Sequence, residues 1–523
     1  MAFWDTVMAG SGQPSDGVMY GKRLIPVIVD EIAAKDPERI CFAFPRSLDP
    51  AQGFQNVNFR TFANAINKTA QFIQREIGRS AMFETVMYMG YSDVRHFIAL
   101  VALMKTGHKV LYSSHRNSVA GHADLIHQTG CTILLSTPGF SVSDILEKCS
   151  METLCMPEME YLLDDSIVVD PYPYKKDWDA AKHHPCLIVH TPGSTGFPKP
   201  VVWTQSSLTT SDAHQVVSPL DGRRCLWNSV MDATRRAFSG YPIFHGSGIA
   251  VSITKATSHN SVVVLGPPGI VDAHVFDEIL EHGDIHAADC LPIALEEVAT
   301  RPEILAKLGR LNYITYAGGV LSKTAGDAIS QHVPLYALMA STETNFLVQH
   351  TTDREDWQYI CLNLAYNGIE MRPHGHLSEL VFVKDSEHAA LQGIFKVYPR
   401  LTEYSMGDLY SKHPTKSNHC NGWNFNPTIH EHLITSHPTV HNRILVGTGR
   451  DRPVAVVELR PEFYTEDEKG RNRLLDFLWS KINEANNEAD SMGPAGTRSC
   501  SIRDREKAVC EGGEGDCSEE GHG

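Results

Sequence analysis

Apolar residues recur at helical spacing over residues 23–34, through Leu24, Ile25, Val27, Ile28 and Ile32, and the pattern repeats over 62–77. Both segments are predicted to be amphipathic helices. Residues 83–89 read as a strand, with Val86 and Tyr88 on alternate positions, followed by a helix over 93–105 and a short strand at 109–112. Further short apolar runs at 131–135, 186–190, 261–265 and 313–316 are separated by helical stretches. Strands alternating with helices predict an α/β fold of layered, mostly parallel sheets.

The texture changes near residues 400–410. A polar stretch follows, and beyond it an apolar strand at 444–446, a Gly-Thr-Gly turn and a second strand at 454–459 predict a hairpin in a small α/β subdomain, with a helix over 472–486. After about residue 490 the chain is dominated by Gly, Ser, Glu and Cys with few apolar residues, a composition that predicts disorder. The expected division is an N-terminal extension (1–20), a large core (21–410), a shortened hinge (411–423), a truncated C-terminal subdomain (424–489) and a disordered tail (490–523). No internal repeat is visible.

With 523 residues, 42% hydrophobic and 21% charged, the chain can bury a substantial core divided over more than one domain. The formal charge of −16 is spread along the sequence, which argues against a nucleic-acid binder. No apolar run is long enough to cross a bilayer, and residues 1–20 lack a basic region followed by an apolar core, so a cytoplasmic protein without membrane partners is expected. The 12 cysteines are scattered without paired ligand spacing, which predicts buried free thiols in place of disulfides or zinc.

The strongest chemical signal is His190-Thr191-Pro-Gly193-Ser194-Thr195-Gly196-Phe-Pro198-Lys199, directly after an apolar strand. Glycines and hydroxyls in such a loop let N–H and O–H groups wrap phosphate oxygens, and Lys199 adds a positive charge. No Gly-Lys-Ser/Thr opens a following helix, so the spacing is not that of a Walker loop. A plain surface turn uses the same residue types.

Thr191 to Lys199 resembles the T-S-G-T-T-G-x-P-K phosphate loop of the adenylate-forming superfamily, which includes acyl-CoA synthetases, luciferases and peptide-synthetase adenylation domains. The resemblance implies that Thr191, Gly193, Ser194, Thr195, Gly196 and Lys199 hold the phosphates of ATP, with Thr195 also near a magnesium ion. Further motifs follow in the family's order. Tyr241-Pro-Ile-Phe244-His245-Gly-Ser-Gly248 is similar to the Phe-His segment lining the acyl pocket, where an imidazole can donate to a carboxylate or phosphate oxygen; taken alone, His245 reads equally as a structural histidine. Ala317-Gly318-Gly319 resembles the turn that lies against adenine, where glycines permit close approach.

Met339-Ala340-Ser341-Thr342-Glu343 is similar to the Y-G-x-T-E motif, in which Thr342 would contact phosphate and Glu343 hold magnesium. Met339 and Ala340 replace the aromatic residue and glycine, which removes the expected stacking partner of adenine. A helix N-cap fits Ser341 to Glu343 as well. Tyr404-Ser-Met-Gly407-Asp408 looks like the segment whose aspartate accepts both ribose hydroxyls; a capped turn is the alternative. By this resemblance Lys199, His245, Thr342 and Glu343 carry catalysis, and ATP (leaving as AMP in the acyl adenylate) and Mg2+ are the cofactors.

Residues 105–118 and 288–295 most resemble fungal peptide-synthetase-like adenylation domains of the adenylate-forming reductase type, and the likeness spans about residues 21–488. The implied reaction is carboxylate plus ATP giving acyl-AMP plus pyrophosphate, in secondary metabolism, on an aryl, 2-oxo or short-chain acid, with CoA or a carrier domain on another chain as acceptor. Two departures stand out. Residues 409–423 contain no G-R-x-D-D hinge, although Asn424-Phe-Asn426-Pro427 resumes the family's pattern. The family's C-terminal P-x-x-x-x-G-K lysine is also missing, since Lys507 lies in a different setting, and no carrier or reductase motif follows. The sequence therefore supports two readings: an acid-adenylating enzyme, or a catalytically impaired relative that binds nucleotide or acid without turnover.

Overall fold

The computed structural model describes residues 18–191, 197–228, 236–269, 271–375 and 377–423, and beyond them 439–446, 454–460, 463, 470, 478, 498–502 and 508–512. The chain divides into two units, Met1–Gly422 and Trp423–Gly523.

In the first unit, one six-stranded sheet has the order Glu152–Cys155, Ile133–Ser136, Thr85–Met89, Lys109–Tyr112, Pro185–Thr191, Lys199–Thr204. Its pairs are parallel until the last, which is antiparallel. A seven-stranded sheet runs Leu335–Ala337, Tyr313–Tyr316, Ala287–Cys290, Arg236–Ser239, Val262–Leu265, Ile40–Pro45, Phe54–Asn58, again parallel except for the final pair.

Helices Phe59–Ile77, Arg95–Thr106 and Gly246–Ser258 share one apolar core with residues of both sheets, such as Val86 and Val110 on one and Phe42 and Val263 on the other. Every residue of Arg95–Thr106 is buried, as a helix between two sheets must be. Its two charges survive there because Arg95 pairs with Asp93 at 2.6 Å and Lys105 with Asp30 at 2.6 Å.

The expected helices and parallel strands are present with ends displaced by a few residues. The first helix, Ile25–Lys35, has proline in its opening turn, and Phe59–Ile77 starts at the cap formed by Asn58, which accepts from the Thr61 N–H at 2.9 Å.

A third sheet is antiparallel: Gln349–His350, Ile360–Leu362, His419–Trp423, Glu403–Lys412, Leu377–Val383, Ile369–His374. Residues 411–423, expected as a shortened hinge, fall within it. Those residues form a hairpin inside this sheet, where the Leu362 N–H donates to the Asn418 carbonyl at 2.9 Å and Lys416 reaches Asp353 at 2.8 Å and Asp356.

The second unit contains a four-stranded sheet, Val440–Val446, Val454–Leu459, Ala508–Gly512, Arg498–Ile502. The expected hairpin is its first pair. The other two strands lie in the stretch expected to be a disordered tail: Ala508–Gly512 pairs with the open edge of Val454–Leu459, a contact supplied by backbone hydrogen bonds that composition does not report. The helix expected over 472–486 lies outside the described residues apart from Leu478, as do residues 424–438. The nine cysteines of the first unit are free thiols, most of them buried. No helix among the described residues is long and apolar enough to cross a membrane.

Candidate functional site

Strands Pro185–Thr191 and Lys199–Thr204 pair so that Thr191 stands opposite Lys199. The loop between them is thus held at both ends, with Lys199 exposed. Gly193, Ser194, Thr195 and Gly196 lie outside the described residues. Just before the loop, buried His190 accepts at Nε2 from the Ser114 N–H at 3.0 Å and from Asn117 Nδ2 at 3.2 Å. Asn117 also donates to Ser113 Oγ at 3.0 Å, which meets His122 Nδ1 at 2.8 Å. Burial, helped by His245 and His122, holds the His190 imidazole at about 4, so it is neutral and able to accept. The sequence reading did not assign His190 a role.

Trp203, at the far end of the strand that begins with Lys199, joins three of the predicted segments. Its indole N–H donates to the Thr342 carbonyl at 2.8 Å. Its ring lies against Gly246, where an added β-carbon would sit 3.3 Å from it. His245 caps helix Gly246–Ser258: the Ser247 N–H donates to its Nδ1 at 3.4 Å, and the Ser247 hydroxyl lies 3.1 Å from the same atom. That bonding assigns Nδ1 as acceptor and leaves Nε2–H as the donor. Burial lowers the pKa of this ring, which favours its neutral form.

Ser341 to Glu343 do not start a helix. Ala340–Ser341 pairs with Asn345–Phe346 in a tight hairpin, and Thr342, Glu343 and Thr344 form its tip. Ser341 and Thr344 cross-link the tip, with the Thr344 N–H donating to Ser341 Oγ and the two hydroxyls 3.0 Å apart in each case. Asn345 takes φ +63° and donates from Nδ2 to the Ser207 carbonyl at 2.7 Å. Thr342 is buried, and Glu343 is half-buried at the turn.

Asp408 stands on a bulge of strand Glu403–Lys412. Ser405 pairs with Val381 and Leu409 with Glu379, so Met406, Gly407 and Asp408 oppose the single residue Leu380. Gly407 supplies the bulge's φ of +76°, and its N–H donates to Ser405 Oγ at 3.0 Å. Half-buried Tyr404 stacks on Tyr398 with ring centres 6.5 Å apart. Its phenol is pushed up to about 12 by burial, reinforced by the charge of Glu343, by Tyr398 and by the charge of Asp408. The fields of Glu343 and Asp408 thus converge on one tyrosine, although the two carboxylates are 65 positions apart in sequence.

Ala317, Gly318 and Gly319 follow strand Tyr313–Tyr316, with both glycines exposed and Gly318 at φ +86°. The Leu338 N–H donates to the Tyr316 carbonyl at 2.8 Å, which sets this turn beside the approach to Met339. Met339 is buried in the core of the antiparallel sheet, and its backbone N–H and C=O both bond the Gln349 side chain, at 3.2 and 2.7 Å. Its side chain therefore offers no open plate to a base, in keeping with the missing aromatic residue.

Groups of the kinds that bind a nucleotide are present among the described residues: an exposed lysine at the end of the glycine-rich segment, an exposed glycine turn, and two half-buried carboxylates whose charges act on Tyr404. Glu343 belongs to no preformed cluster among the described residues, so a hard cation there would take its remaining ligands from phosphate and water. The grouping that does have ligand spacing, Asp385, Glu387 and His388, is already tied by the His388–Asp385 contact.

A family model described as AMP-binding enzyme matches residues 29–365, and one for the AMP-binding enzyme C-terminal domain matches 417–507. The second match extends the C-terminal region past residue 489, into the segment expected to be a tail. An isocyanide synthase–NRPS hybrid of Aspergillus fumigatus is 31% identical over 491 residues, covering 92% of this chain and 31% of the relative. A carboxylic acid reductase of Neurospora crassa is 30% identical over 520 residues, covering 95% of this chain and 49% of the relative. The chain thus spans half or less of the length of these relatives.

Among solved structures, the amide bond synthetase McbA of Marinactinospora thermotolerans matches with a TM-score of 0.60 at 16% identity, covering 87% of this chain and 93% of that one. A long-chain-fatty-acid-CoA ligase of Archaeoglobus fulgidus matches with a TM-score of 0.59 at 15% identity, covering 90% and 96%. Both share the fold. On the ordered motifs, the α/β core and the two family matches, the chain belongs to the AMP-binding, adenylate-forming enzyme family.

Proposed function

We propose that this chain activates a carboxylic acid with ATP, forming an acyl adenylate and releasing pyrophosphate. A carboxylate oxygen attacks the α-phosphorus as the bond to the pyrophosphate oxygen breaks, so the chemistry asks mainly for alignment and charge neutralisation. The observation that carries this reading is the Trp203 junction, which ties the strand behind the phosphate loop to Thr342 and seats the His245 helix on the same indole.

In this reading Thr191, Gly193, Ser194, Thr195, Gly196 and Lys199 hold the phosphates. Thr342 adds a phosphate contact, Glu343 and Thr195 face Mg2+, and Asp408 takes the ribose hydroxyls. Ala317 to Gly319 and Ser341 flank the base, and His245 Nε2–H meets the acid carboxylate or an α-phosphate oxygen. The substrate class is an aryl, 2-oxo or short-chain acid in secondary metabolism, and the acceptor is CoA or a carrier domain on another chain. Support comes from relatives named as a carboxylic acid reductase and an isocyanide synthase–NRPS hybrid, and from a fold neighbour, Klebsiella oxytoca NpsA, with 3-hydroxybenzoyl-AMSN.

One observation favours a second reading, in which nucleotide or acid binds without turnover: residues 409–423 lack G-R-x-D-D and run through a hairpin of the core sheet. ATP–pyrophosphate exchange across a panel of carboxylic acids separates the two. Exchange that needs both an acid and Mg2+, and is lost in Lys199→Ala, supports the first. Binding of ATP with no exchange for any acid supports the second.

A further inference from the structure

At the carboxyl ends of three neighbouring parallel strands, Ser239, Asp289 and Thr315 stand side by side in register. Asp289 forms an ion pair with Lys255 of helix Gly246–Ser258 at 2.6 Å, and each side chain is only 2% exposed. The second Asp289 oxygen accepts from Thr315 Oγ1 at 2.6 Å, and its backbone carbonyl accepts from the Gly240 N–H at 2.8 Å. Ser239 Oγ lies 3.0 Å from Ser252 Oγ, a second tie to the same helix.

An ion pair this deep is a weak way to gain stability, because desolvating both charges offsets much of their attraction and apolar replacements of similar volume fold as well or better. What it provides is a fixed, directional joint between elements that lead into the candidate site. The helix begins at His245. Strand Arg236–Ser239 runs on to Tyr241 and Phe244, strand Tyr313–Tyr316 to Ala317, Gly318 and Gly319, and strand Ala287–Cys290 to Leu291. Leu291 Cδ2 lies 3.5 Å from where a β-carbon on Gly318 would be. Ligands of open α/β sheets bind at these carboxyl ends.

We propose that Lys255 and Asp289 are positioning residues: their buried pair, braced by Thr315, sets His245 against the Ala317–Gly319 turn and so aligns the acid with the nucleotide. The kinetic part rests on the adenylation reading above; the geometric part does not.

Two variants of the full chain test it. Lys255→Met with Asp289→Asn removes both charges and leaves no unpaired ion, and Thr315→Val removes one hydrogen bond at almost constant volume. Hydrogen exchange, read without ligand, is expected to quicken about fivefold in Thr315→Val and more in the double variant at the amides of 245–249 and 317–319. With the acid that gives the strongest wild-type exchange signal, the double variant is expected to raise KM for that acid about tenfold or more, with a smaller rise in KM for ATP, whose phosphates and ribose are held by other segments. If the double variant does not fold, Thr315→Val decides alone. Unchanged hydrogen exchange at both sites overturns the proposal, as does an unchanged acid KM in a chain that catalyses exchange. A wild type without pyrophosphate exchange, but with the hydrogen exchange changed as expected, removes the adenylation reading and leaves the joint in place.

Discussion

The indole N–H of Trp203 donates to the main-chain carbonyl of Thr342 at 2.8 Å, across 139 positions of sequence. Through it the strand starting at Lys199 and the hairpin bearing Glu343 are spaced as one body, so a displacement of either is felt by the other.

Trp203→Phe keeps most of the apolar packing but leaves the buried Thr342 carbonyl without its donor. A loss of about 1–2 kcal/mol in stability is expected, together with a several-fold drop in affinity for Mg2+-ATP. Chemical denaturation and calorimetric titration check the two halves. Unchanged nucleotide affinity in a folded variant would show that the junction is structural only.

Glu343 is the one acidic side chain at the hairpin tip. Glu343→Gln keeps the shape and removes the charge, and is expected to abolish the magnesium-dependent part of ATP binding while leaving the melting temperature near that of the wild type. Titrating Mg2+ at constant ATP gives the answer; an intact magnesium response counts against Glu343 as the ligand.

Gly407→Ala places a β-carbon on a residue at φ +76°, at a cost of about 1–2 kcal/mol. Relief of that strain moves the bulge and with it Asp408, so nucleotide affinity is expected to fall in this variant almost as far as in Asp408→Asn. Equal affinity in Gly407→Ala and wild type would mean that the bulge does not position the carboxylate.

Burial holds His96, His214 and His259 at about 3 and His190 at about 4, all below the ordinary value of 6.5. These rings are neutral when folded but take up protons when unfolded below about pH 6.5, so their contribution is complete above that pH and is lost as pH falls toward the folded values. Each is expected to remove about 1 kcal/mol per pH unit in that window. Melting temperatures between pH 7 and 5 measure the slope. His214→Leu should lower it by that one ring's share, and it breaks no side-chain hydrogen bond, since both ring nitrogens of His214 are buried without a partner.

Much of the fold was legible because the two parallel sheets and their helices are built from local periodicity: the alternation at Val86 and Tyr88 and the helical spacing over 23–34 and 62–77 match elements in the structure. The hairpin at 411–423 and strand Ala508–Gly512 were not legible. Their pairing depends on backbone hydrogen bonds to distant edges, which side-chain composition does not encode.

The site divides in the same way. The sequence by itself determined which chemical groups exist and in what order: Lys199 after a glycine-rich loop, His245 after Phe244, Glu343 after Thr342, and Asp408 after a glycine. Only the tertiary structure decided which of them meet. Trp203 carried no catalytic signature, yet its indole reaches Thr342 and Gly246 together, and the Lys255–Asp289 pair became visible only when a helix and a strand were packed. Residue type fixes what a group can donate, accept or charge. Distance and desolvation, which decide whether it does so, arise from packing between segments far apart in the chain.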